Sequence, residues 1–130
     1  MREYRVPDDE RVRASLERVF STRREVDSQR KLKRLVEKDL KSDETFRVGE
    51  QRVRKIAIDS GIVNLEIHSR ETQSKKSMVK CPVCEERLTR VRNMTVFGGT
   101  VTLGYRCNRC GYWTGLRRRV PTRYVFTRRD

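Results

Sequence analysis

An α+β fold of two small units is what three observations on this sequence predict. Apolar residues recur at helical spacing up to about residue 60, and they alternate at strand spacing beyond it. Four cysteines stand as two pairs, Cys81-Pro82-Val83-Cys84 and Cys107-Asn108-Arg109-Cys110, with 22 residues between the pairs. At 130 residues, 38% charged and 35% hydrophobic, the chain has apolar surface for two modest cores rather than one large one. The boundary is expected between residues 74 and 75, giving units 1–74 and 75–130.

The first helix is predicted from about residue 8 to 21. Asp8-Asp9-Glu10 places negative charge at its N-terminus, and Val12, Leu16, Val19 and Phe20 form its buried face. Asp27 or Ser28 caps a second helix reaching about residue 41, with Leu32, Leu35, Val36 and Leu40 as its apolar stripe. The opposite face carries Arg30, Arg34, Lys38 and Lys41, relieved only by Glu37, which reads equally as a solvated face or as a phosphate contact. Lys41-Ser42-Asp43-Glu44-Thr45 is a loop and Phe46-Arg47-Val48 a short anchored stretch. A third helix begins near Gly49, buries Val53, Ile56 and Ala57, and ends at Ser60-Gly61, as a glycine C-cap would end it. Its outward face is Gln51 and Lys55, with Arg52 and Arg54 on the flanks; these are side chains that reach base edges and phosphates. Alternation through Val63, Leu65 and Ile67 predicts a half-buried strand, on whose surface the single histidine, His68, is expected.

Residues 69–77 hold no apolar anchor and read as a linker or loop tip. Beyond it, alternation through Leu88, Met94 and Val96 and then Val101, Leu103 and Tyr105 predicts two strands joined by a turn at Phe97-Gly98-Gly99-Thr100. Tyr112-Trp113-Thr114-Gly115-Leu116 reads as a third strand, with Trp113 expected to pack the small sheet. The end, 120–130, keeps enough apolar residues to form an extra strand against the second unit or the first helix, or to be ordered by a partner.

A two-residue gap lets both sulfurs of a pair reach one metal ion, so Cys81, Cys84, Cys107 and Cys110 form a complete tetrahedral set for one structural Zn²⁺, with no position left open for catalysis. Met1-Arg2-Glu3-Tyr4-Arg5 does not read as a secretory signal, which argues for a reducing, cytoplasmic setting and against disulfides. A redox pair needs one CxxC beside a helix, and none of the helical pattern lies here. No apolar run approaches the length of a membrane span.

The charge is lopsided. Residues 1–70 hold 18 basic and 14 acidic side chains, residues 71–130 hold 14 and 4, and 24 of the 32 basic residues are Arg. Arginine's planar fork grips phosphate bidentately, so a polyanion is the first expected partner and Arg117-Arg118-Arg119 the first expected phosphate contact. No Gly-rich phosphate loop and no paired nucleophile and base appear, so neither catalysis nor a small-molecule substrate is expected.

Three helices followed by a strand, with a turn between the second and third, resemble a winged helix-turn-helix. Two cysteine knuckles joined by a hairpin and followed by a third strand resemble a zinc ribbon over about residues 78–118; Glu85 departs from its pattern, standing where a Gly often follows the second Cys. The order of the two modules is similar to archaeal predicted transcription regulators that fuse a winged helix-turn-helix to a C-terminal zinc ribbon, and to archaeal basal transcription factor E. That resemblance implies a DNA-binding transcription regulator, with Gln51, Arg52, Arg54 and Lys55 in a major groove and Arg30, Arg34 and Arg117 to Arg119 on phosphates. The residues themselves leave two other readings open: an RNA-binding or ribosome-associated protein, and an adaptor on RNA polymerase.

Overall fold

Eleven elements follow one another in a computed structural model that describes residues 4–41, 45–75 and 77–129. They are β1 (Tyr4–Arg5), α1 (Asp9–Thr22), β2 (Glu25–Val26), α2 (Gln29–Leu40), β3 (Thr45–Phe46), α3 (Glu50–Ser60), β4 (Val63–Glu71), β5 (Thr89–Met94), β6 (Thr100–Arg106), β7 (Trp113–Thr114) and β8 (Arg119–Arg128). The fold is α+β: β1 and β3 form a parallel pair, β2-β8-β4 one sheet and β5-β6-β7 another. The centre of the predicted 41–45 loop, Ser42 to Glu44, lies outside the described residues, as do Met1 to Glu3 of the N-terminal segment, Lys76 of the predicted linker and Asp130 at the chain's end. Among the described residues no helix is long and apolar enough to cross a membrane.

The helices begin and end where their caps dictate. Asp8 Oδ1 accepts from the Arg11 amide at 2.9 Å and Ser28 Oγ from the Lys31 amide at 3.1 Å, each satisfying a donor that has no partner inside its helix. Of the two predicted caps for α2, Ser28 is the one used. Gly61 closes α3 in the left-handed conformation, φ 71°, a conformation costly for a residue with a Cβ.

Two compact units emerge, Met1–Glu66 with Arg123–Asp130, and Ile67–Thr122. The sequence suggested a single boundary at residue 74; instead β4 and β8 each cross from one unit into the other, because residues 69–71 continue β4 and the C-terminal strand returns to the first unit. In that unit Val12, Leu16, Val19, Phe20, Leu32, Val36, Phe46, Val53 and Ala57 are buried with Tyr124, Val125 and Phe126 of β8, whose register against β2 pairs Val26 with Phe126. Leu35 and Leu40 of the predicted α2 stripe, and Ile56 of α3, are half-buried. Polar clamps fix the helices. Arg18 Nε donates to both Asp39 oxygens at 3.2 and 2.9 Å, and Glu37 Oε2 accepts from the Val48 amide at 3.0 Å. Burial raises the Asp39 pKa, but hydrogen bonds from Arg18 and Ser15 outweigh it and hold the carboxyl below its ordinary value.

In the second unit β5, β6 and β7 form an antiparallel meander, with a register shift at Val91/Arg92. The third strand is only Trp113–Thr114, shorter than its sequence suggests, because the next residues turn around the Thr114 hydroxyl. That hydroxyl accepts from the Arg119 amide at 2.9 Å and donates to the Arg117 carbonyl at 3.2 Å. The turn between β5 and β6 also differs from expectation. The Gly98 amide donates to the Thr95 carbonyl at 3.1 Å, which sets Val96 and Phe97 at its apex and the glycines on its exit.

Candidate metal centre and basic surfaces

Each cysteine pair sits on a tight turn, and the two turns are built alike. The amide of the first cysteine donates to the carbonyl five residues on, Cys81 to Glu86 at 2.8 Å and Cys107 to Tyr112 at 2.7 Å. The residue after the second cysteine has a positive φ in both, 65° at Glu85 and 84° at Gly111. Within the turns, amides point at sulfur. Val83 N lies 3.4 Å from Cys81 Sγ, and Arg109 N and Cys110 N lie 3.4 and 3.5 Å from Cys107 Sγ. Such amides stabilise thiolate charge.

The β5–β6 meander brings the two turns together, and all four sulfurs lie within 4.8 Å of one another. The closest cross-turn pairs, Cys81 with Cys110 and Cys84 with Cys107, are 3.5 Å apart. That is too far for a disulfide, whose bond is about 2.05 Å, and all four cysteines are free. It suits one ion: bonds of about 2.3 Å directed tetrahedrally put sulfurs about 3.8 Å apart. Cys81, Cys84 and Cys107 are buried and Cys110 is half-buried, so the set is closed and is compatible with one structural metal ion.

Without an ion the four thiols cannot all ionise. Hydrogen bonding by Cys110 holds the Cys81 thiol down to about 5, whereas burial pushes Cys84 up to about 12. Cys110 is raised as well, chiefly because its proton bridges to Cys81. A cation that replaces those protons removes the conflict.

The expected nucleic-acid residues fall into distinct environments. Arg30 and Arg34 are exposed on α2 with Lys38 and Lys41, as the helical period requires. Gln51 is exposed on α3 and Lys55 half-buried. Arg54 is not on a surface: only 6% exposed, it donates to Gln29 Oε1 at 2.6 Å and its guanidinium lies 4.6 Å from the Tyr124 ring centre. Its place on the flank of α3 is covered by β8, so the outward role expected from the sequence is corrected to an internal one. Arg52 is half-buried, its Nη2 2.7 Å from Asp9 Oδ1, so it ties α3 to the start of α1.

In the second unit Arg117 is exposed and 3.9 Å from Glu71, while Arg118 is half-buried, its Nε buried without a hydrogen-bond partner among the described residues. Arg119 donates from Nε to Ser69 Oγ at 3.0 Å, and its guanidinium stands 4.1 Å above the Trp113 ring. Trp113 is therefore no core residue. It is 57% exposed, a correction to the packing role expected of it, and Tyr105 and Tyr112 fill the interior instead. His68 is exposed on β4.

A feature that escaped the sequence reading is continuity of sign. From Arg87 to Arg129 there are eleven arginines, no lysine and no acidic residue. Totals for residues 71–130 hide it, because the four acidic residues there, Glu71, Glu85, Glu86 and Asp130, all lie outside the run; the order of the charges along the chain shows it. The unit Ile67–Thr122 as a whole carries twelve Lys and Arg against three acidic side chains, net +9. Comparison with family models, with curated proteins and with solved structures gives no match for this chain.

Proposed function

We propose that this chain is a zinc-containing nucleic-acid-binding protein, a DNA-binding transcription regulator whose first unit is a winged helix-turn-helix and whose second is a zinc ribbon. The observation that carries the reading is the basic, acid-free run from Arg87 to Arg129, much of it on a small sheet held by four cysteines. Phosphate neutralisation by arginine supplies sequence-independent affinity, and a rigid metal-held scaffold keeps the donors in place at little entropic cost. Arg30, Arg34, Lys38 and Lys41 on α2 add a second exposed cationic surface. Base readout from α3 rests on the exposed Gln51 and the half-buried Lys55, Arg54 being buried under Tyr124. Zinc is favoured over a multi-iron cluster because sulfurs within 4.8 Å leave room for one ion.

The burial of Arg54 also favours a second reading, an RNA-binding or ribosome-associated protein that uses the basic second unit and little base readout from α3. Binding to duplex DNA and to structured RNA, measured across a salt series, separates the two. The DNA reading expects tighter duplex binding, a sequence preference relaxed by Lys55→Ala, and an affinity that falls linearly with salt on logarithmic axes. Equal or tighter binding to RNA with Lys55→Ala silent would select the second reading, and binding to neither would overturn both. Metal analysis of the purified chain should return one zinc per molecule.

A further inference from the structure

The β5–β6 hairpin ends in a surface that the fold does not use. Val96 and Phe97 are each 98% exposed and Met94 73%. The turn that carries them is nevertheless well fastened. Thr95 N donates to the Gly99 carbonyl at 2.7 Å, Gly98 N to the Thr95 carbonyl at 3.1 Å, and Thr95 Oγ1 accepts from Gly99 N at 3.1 Å. Gly98 supplies the positive φ, 88°, that lets the chain return. The two apex positions of such a turn favour Gly, Pro, Asn, Asp or Ser for their backbone preferences; here they hold a β-branched and an aromatic residue that touch no core. A local rule broken without a packing gain marks a position selected for contact with something else.

Charge identifies that contact. Arg90 and Arg92 on β5 and Arg106 on β6 are exposed along the same hairpin, and no acidic side chain lies between Arg87 and Arg129. A purely apolar partner leaves these cations unpaired, whereas a nucleic acid offers phosphates to the arginines and the faces of bases to the tip.

We propose that the hairpin is a wedge that seats Phe97, with Val96 beside it, against unstacked bases, while Arg92, and Arg90 and Arg106 farther down the hairpin towards the cysteine turns, hold phosphates along the strand. This rests on the nucleic-acid reading and adds to it a substrate class, sites where a base is unpaired or easily unstacked. Insertion costs least where stacking is already lost, so affinity should follow base unpairing more than sequence.

The test compares the full-length, metal-loaded chain on a paired duplex and on the same duplex carrying one unpaired 2-aminopurine. Wild type should prefer the unpaired site and change the fluorescence of that base. Phe97→Ala should lose roughly tenfold in affinity there, lose the fluorescence change, and bind the paired duplex nearly as before, with Phe97→Trp restoring both signals. Phe97 is fully exposed, so the substitution leaves the fold intact, and metal content checks this. Wild-type binding that Phe97→Ala leaves equal on both probes overturns the wedge while the nucleic-acid reading stands. Absence of binding to either probe overturns both. A nuclease-resistant protein partner lost with Phe97→Ala, nucleic-acid affinity being unchanged, assigns the tip to a protein surface and also overturns the wedge.

Discussion

Glu85 and Gly111 occupy the same place in the two cysteine turns, directly after the second cysteine, and both have a left-handed backbone, φ 65° and 84°. Gly111 adopts it without steric cost, but at Glu85 the Cβ crowds the following carbonyl, a conformation about 1 kcal/mol or more above the right-handed one. The first cysteine turn over-determines this position, since the Cys81 amide must reach the Glu86 carbonyl and the Glu85 amide the Cys81 carbonyl, at 2.8 and 2.9 Å. Glu85→Gly should therefore stabilise the metal-loaded unit by up to about 1 kcal/mol, the relief being partly offset by the greater freedom of glycine when unfolded. Gly111→Val should destabilise it by a similar or larger amount. Thermal melts of the metal-loaded variants check both signs.

Gly104 is required for a different reason. A Cβ built there would lie 2.2 Å from the Thr114 carbonyl oxygen and 3.1 Å from Gly115 Cα, both backbone atoms that cannot swing aside. Gly104→Ala forces β6 and β7 apart and disturbs the Thr114 hydroxyl that organises Arg117 to Arg119. The expected cost is on the order of 2 kcal/mol, with weaker metal retention against a chelator and a melting transition lowered in proportion.

Metal removal should act on one unit. The second unit has few buried apolar residues beyond Val83, Leu88, Tyr105 and Tyr112, too few to stabilise it by burial, while an ion bound by the four cysteines would supply on the order of 10 kcal/mol. Chelation, or Cys84→Ser, should unfold it and leave the helical circular dichroism of the first unit; simultaneous loss of the helices would contradict this. Protons accompany the ion. At neutral pH Cys81, held down to about 5, is already a thiolate, whereas Cys84, pushed up to about 12, and Cys110, raised further, are protonated. Metal uptake at pH 7 should therefore release the protons of at least these two thiols, and affinity should rise with pH. Calorimetric titration in buffers of different ionisation enthalpy reads the number directly.

The parts of this molecule that the sequence makes legible are those governed by local rules. Ser28 and Gly61 announce helix ends because the chemistry of a cap is contained in two or three residues, and the four cysteines announce their site because one ion needs four sulfurs. What escaped depends on partners distant in the chain. The two-residue strands β1, β2 and β3 have no periodicity to read, and β2 exists because β8 arrives a hundred residues later to pair with it. No basic side chain stands in the last turn of α1, and Arg128 of β8 supplies one instead, donating to the Phe20 carbonyl at 3.2 Å. Helical projection placed Arg54 on a flank correctly as an angle, but could not foresee that Tyr124 would cover that flank.

That covering separates two kinds of arginine by experiment. Arg54 hydrogen-bonds Gln29 and lies over Tyr124, so Arg54→Ala removes a buried charge-assisted bond and a cation–π contact, leaving Gln29 with an unmet acceptor. The first unit should lose about 2 kcal/mol of stability, and Arg54→Lys, which lacks the planar fork, should recover little of it. Arg30→Ala and Arg34→Ala remove exposed side chains from α2 and should leave stability within about 0.5 kcal/mol of the parent. Their effect should appear instead in nucleic-acid affinity, equally for all sequences and with a shallower salt dependence by about one ion per residue. Denaturant melts set beside salt-dependent binding isotherms for the same variants decide the matter. A stable Arg54→Ala that loses binding would return this side chain to the interface, and an Arg34→Ala with unchanged salt slope would remove α2 from it.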